Sequence, residues 1–114
     1  MTAGIEGWID IGALDDVPRR GARLVRTRAG CVGLFRTHDD RVFALEDRCP
    51  HAGGPLSEGI VGDRSVTCPL HNRVISLETG ETDEPSDRPV PTYELRVEEG
   101  RLLLPASLGA RSAA

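Results

Sequence analysis

The chain has 114 residues, room for a single domain, with a net charge of −4 and fourteen basic residues that are all arginine. No stripe of basic and aromatic residues is present, which argues against a nucleic-acid partner. No apolar run reaches the roughly 20 residues of a membrane-spanning helix, and residues 1–11 hold two acids and no basic leader, so the expected location is cytoplasmic, without membrane attachment. With 39% hydrophobic content but only four Phe, Trp or Tyr, the core must rest on Val, Leu and Ile.

Short apolar runs broken by turn signals every ~8–12 residues predict an all-β domain. Residues 8–11 read as a first strand. Residues 14–18 read as a polar break or one helical turn, because Pro18 forbids a longer helix. A strand over 23–27 and a turn at Ala29-Gly30 follow. Residues 32–36 and 42–45 then form a hairpin around His38-Asp39-Asp40. His38 is expected to be a solvated loop residue, and Cys31 a small buried hydrophobe. A second hairpin runs through 60–61 and 65–67, and a strand over 74–77 is turned by Thr79-Gly80. Residues 81–91 carry acids and three prolines without periodicity, so they form a loop with solvated carboxylates. Residues 93–97 and 101–104 make a closing hairpin. The domain is expected over 1–105, with a disordered tail over 106–114.

Two short boxes carry the chemistry: Cys49-Pro50-His51 and Cys68-Pro69-Leu70-His71, with sixteen residues between them. Four of the six Cys and His residues of the chain fall here. Thiolate and imidazole hold borderline and soft metals tightly. Zinc fingers usually pair like with like in each knuckle, whereas each box here offers one sulfur and one nitrogen. That order suits two adjacent irons, one held by both cysteines and one by both histidines. Residues i and i+2 of an extended loop project to one side, so Cys49 and His51 can face one cavity. The hairpin between the boxes goes out and back, placing the two loops side by side. Zinc binding by the same four residues stays open as the alternative.

Cys49-Pro50-His51-Ala52-Gly53-Gly54-Pro55-Leu56 followed by Cys68-Pro69-Leu70-His71 resembles the two boxes of a Rieske domain. The resemblance implies an antiparallel β-sandwich base with an inserted cluster-binding subdomain (about residues 47–78). It implies a [2Fe–2S] cluster with Cys49 and Cys68 on the inner iron and His51 and His71 on the outer one, and residues 81–91 as a covering loop. High-potential members of the family carry an extra cysteine in each box and two hydroxyl donors to cluster sulfur. Here Gly54, Leu70, Arg73 and Ile75 stand at those positions, which implies a low potential, roughly −150 mV.

A bare domain of this kind leaves no room for a substrate pocket or a second iron, so the chain is expected to be an electron carrier or a subunit. Three stretches resemble the small subunit of assimilatory NAD(P)H-dependent nitrite reductase: residues 49–61, Cys68-Pro69-Leu70-His71-Asn72, and Thr92-Tyr93-Glu94-Leu95-Arg96-Val97. Asn72 separates them from oxygenase ferredoxins, which generally have glycine there; Arg73 departs, since tryptophan is frequent in that family. The resemblance implies an electron-transfer subunit for reduction of nitrite to ammonia, with no complete active site of its own. Its partner would be a large subunit bearing FAD, a [4Fe–4S] cluster and sirohaem. The alternatives are a stand-alone Rieske ferredoxin supplying an oxygenase and a zinc-stabilised interaction module. Arg48 and Arg73 flank the boxes and could contact an acidic partner surface, although exposed arginine is commonplace.

Overall fold

The structure, a computed structural model, describes residues 7–28, 30–48, 54–69, 72–84 and 86–108. Cys49, His51, His71 and residues 109–114 lie outside them. The described residues form ten strands: β1 (Trp8–Ala13), β2 (Ala22–Thr27), β3 (Gly30–Arg36), β4 (Val42–Glu46), β5 (Ile60–Val61), β6 (Ser65–Thr67), β7 (Val74–Ser76), β8 (Thr92–Tyr93), β9 (Arg96–Glu98) and β10 (Arg101–Pro105). Single 3₁₀ turns occupy Leu14–Asp16, Leu56–Glu58 and Ala106–Leu108. All pairings are antiparallel, in three sheets ordered β1-β10-β9, β2-β3-β4-β8 and β5-β6-β7. The fold is the all-β Rieske type. Among the described residues no helix is long and apolar enough to cross a membrane.

The second sheet is the middle layer. Val32, Leu34 and Ala44 face one way, into a core shared with Ile11, Val17, Val25, Leu102 and Leu104. Phe35 and Leu45 face the other way, into a core shared with Leu56, Val61, Val66, Cys68, Ile75, Leu77 and Val90. The first core closes the base sandwich; the second mounts the small sheet on its back. Burial on both faces explains why β3 reads as an unbroken apolar run rather than an alternation. Arg36 ends that run 7% exposed, and its guanidinium donates to Val17 O at 2.9 Å and to Asp40 Oδ1 at 2.8 Å. The buried charge is thereby paired and hydrogen-bonded, as burial requires.

Three expectations need correction. Cys31 is exposed, not buried. Strand alternation puts it on the same face as Phe35, yet of the two only Phe35 packs into the core shared with the small sheet. The closing hairpin is shorter than 93–97: Thr92–Tyr93 joins β4 instead, with Ala44 opposite Tyr93 and Leu45 opposite Thr92. The chain changes sheets between Tyr93 and Arg96, with Tyr93 and Leu95 both packing on the base core. The tail is ordered at its start, because Leu108 packs against that core and accepts the Arg28 N–H at 2.8 Å.

Candidate metal centre

The first box is closed at its base by a carboxylate two residues before Cys49. Asp47 Oδ1 accepts the Ser57 N–H at 2.6 Å and Asp47 Oδ2 accepts the Ser57 hydroxyl at 3.1 Å, tying the two ends of the loop together. Asp47 is itself anchored, its N–H donating to Cys31 O at 2.9 Å. Leu56, fully buried, drops the end of the box into the core that also holds Cys68. Pairing of Ile60 with Thr67 and Val61 with Val66 brings the chain back beside the first box. Gly59 lies so close to Thr67 O that a Cβ would collide with it. The end of the first box and the start of the second are therefore neighbours.

Cys68 continues the inward row of the small sheet and has no exposed surface. The chain then turns: Asn72 N–H donates to Cys68 O at 3.1 Å, and Cys68 N–H donates to Arg73 O at 2.7 Å. The turn needs a left-handed residue, and Asn72 supplies it with φ of 57°. Arg73 Nε lies 2.8 Å from Asp87 Oδ2, with the two side chains 24% and 11% exposed. Asp87 is thus a mostly buried partner of the second box rather than a solvated loop charge, and Arg73 is engaged within the chain rather than displayed to a partner. Val90 is buried in the core of Cys68, and its N–H donates to Gly80 O at 2.7 Å. The 81–91 segment therefore folds back onto the subdomain.

A second tie joins the base to the small sheet. Arg64, in the β5–β6 turn, reaches both Asp39 oxygens, at 3.2 and 3.1 Å, and His38 Nδ1 lies 3.3 Å from Asp63 Oδ1. The Arg64 guanidinium, with help from the Thr37 hydroxyl, holds the Asp39 carboxyl well below the ordinary carboxylate range.

Of the four expected ligands, Cys68 lies among the described residues. Its setting fits an iron–sulfur cluster: a buried soft donor at a strand end, in a pocket of apolar side chains, beside the closed base of the other box. Metal binding removes the thiol proton, which an apolar setting alone would disfavour. When bound, such a cluster accepts and releases one electron at a time. Asp47, Asp87 and the Arg64–Asp39 pair escaped the sequence reading, since a lone acid in a polar loop has no periodicity to mark it.

A sandwich base carrying a small sheet, with Cys68 buried at a strand end beside the tied ends of the first box, is the frame of an iron–sulfur electron-transfer protein. The chain belongs to the Rieske-like [2Fe-2S] domain family, whose profile matches residues 7–104, and its cofactor is the Rieske [2Fe–2S] cluster. It is 34% identical to the anthranilate 1,2-dioxygenase ferredoxin subunit of Burkholderia cepacia, over 88% of this chain and 93% of that one. It is 33% identical to a solved Mycobacterium tuberculosis chain named for the small subunit of an NADH-dependent nitrite reductase. That match covers 96% of this chain and 99% of that one, with a TM-score of 0.77. The ferredoxin from a carbazole 1,9a-dioxygenase oxygenase–ferredoxin complex matches at 28% identity, with 89% and 94% covered and a TM-score of 0.75.

Proposed function

We propose that this chain is a Rieske ferredoxin that carries single electrons to the terminal component of an oxygenase. Cys49 and Cys68 hold one iron, and His51 and His71 the other. The observation that carries this reading is the 34% identity to the Burkholderia cepacia dioxygenase ferredoxin subunit, over 88% of this chain and 93% of that one. The oxygenase is the partner; the chain has no substrate chemistry of its own. This reverses the order expected from sequence, and the reason is physical. Asn72 was the residue that set nitrite reductase first, yet its φ of 57° is met as readily by glycine as by asparagine. The position selects a backbone conformation, which both families can satisfy.

The second reading, a nitrite reductase small subunit, is supported by the Mycobacterium tuberculosis neighbour, which covers more of this chain than the ferredoxins do. Capture of partners by the tagged, cluster-loaded chain from its own cells separates the two. Retention of an oxygenase terminal component that reoxidises the reduced chain supports the ferredoxin. Retention of a sirohaem flavoprotein overturns it in favour of nitrite reductase. A Cys68→Ser variant loses the cluster absorbance and Rieske-type EPR signal under either reading; a colourless zinc-loaded wild type would sink both.

A further inference from the structure

The geometry points to Arg73 and Asp87 as positioning residues: we propose that their ion pair clamps the 81–91 loop onto the second box and tunes the charge felt by the cluster. The proposal rests on the Cys-His ligand set above. Arg73 is already held at the box rim, because its carbonyl accepts the Cys68 N–H at 2.7 Å. Its guanidinium then reaches Asp87 at 2.8 Å, in the middle of the loop. The ends of that loop are fixed independently. Asp83 N–H donates to Val74 O at 3.0 Å, Thr82 bridges to Ile75, and Val90 is buried beside Cys68. Asp87 is oriented from its own side by its N–H, which donates to Glu84 O at 3.0 Å, while the Thr82 hydroxyl, which donates to Glu84 O at 2.8 Å, lies 3.3 Å from Asp87 Oδ2.

An exposed ion pair contributes little, because water screens it. This one is largely withdrawn from water, so each charge acts on its surroundings with less screening. The sign follows. Reduction adds negative charge to the cluster. The Arg73 cation favours that state, the Asp87 carboxylate disfavours it, and in the intact pair the two nearly cancel. Removing one charge exposes the other.

The test uses the cluster-loaded chain and its variants Asp87→Asn, Arg73→Gln and the double variant. Protein-film voltammetry should show the potential rising in Asp87→Asn, falling in Arg73→Gln, and returning near wild type in the double variant. Loss of cluster absorbance to an iron chelator should run about tenfold faster in each single variant, the equivalent of ~1.4 kcal/mol. A loop that merely packs would, once loosened, admit water. Water favours the more charged reduced state, so both single variants would then shift upward together. Shifts of the same sign, or unshifted potentials with wild-type chelator rates, overturn the clamp. A wild type without the Rieske-type EPR signal fails the ligand assignment first, and the clamp with it.

Discussion

Gly80 shows how a single position can govern the site from a distance. Its φ is +80°, and a Cβ there would collide with Val90 O, the residue that seats the covering loop in the core of Cys68. Left-handed backbone costs a side-chain-bearing residue about 1–2 kcal/mol, and the collision adds to it. Gly80→Ala is therefore expected to lower Tm by about 10 °C in calorimetry, since each kcal/mol moves a domain of this size ~4–8 °C. The chelator-driven loss of the cluster should accelerate with it. An unchanged Tm would mean that Val90 is free to shift. Asn72 uses the same backbone region at an exposed position, so either asparagine or glycine serves. Position 72 thus reports a turn and position 80 a contact. From sequence alone the two look alike.

At the level of elements, the decisive arrangement is two turns meeting. The turn after β3 brings His38, Asp39 and Asp40, and the turn after β5 brings Asp63 and Arg64. Asp39 is held low by Arg64 and Thr37, and Asp40 by Arg36 and then Arg19. A carboxyl depressed on folding contributes stability above its unfolded value, ordinarily 3.8. That contribution is lost as pH falls through the lower folded value. Asp39→Asn should accordingly melt below wild type at neutral pH, and the gap should close as pH drops below about 4. A gap that stays constant into acid would show that Asp39 matters through its shape and not its charge. The hairpin of β5 and β6 was legible in sequence as apolar pairs around Gly62-Asp63-Arg64. Its docking onto the β3–β4 turn was not, because Arg64 and Asp39 stand 25 residues apart with nothing to link them.

Across the whole molecule, the two cores share one sheet but divide the labour. The base core closes through β1 and β10, the two ends of the described chain, with Ile9 opposite Leu104. The outer core has short strands of two or three residues and depends on Leu56, Cys68 and Val90 to seat the loops beside them. Metal binding is folding free energy for such segments. Removing the iron should therefore raise amide hydrogen exchange in β5–β7 and 81–91 while β2–β4 stay protected, as read by mass spectrometry. Uniform deprotection would show that the base depends on the cluster as well.

The spacing of Cys49, His51, Cys68 and His71 pointed to a metal centre, the likeness of the two boxes to a Rieske domain named the cofactor, and the apolar runs named an all-β fold, because each depends on local chemistry or on a period of two. Tertiary structure alone decided that Cys31 is exposed, that Thr92–Tyr93 joins β4, and that Asp87 serves the second box. Each of these depends on which surface another part of the chain covers, and coverage is a long-range property that no local pattern of residues records.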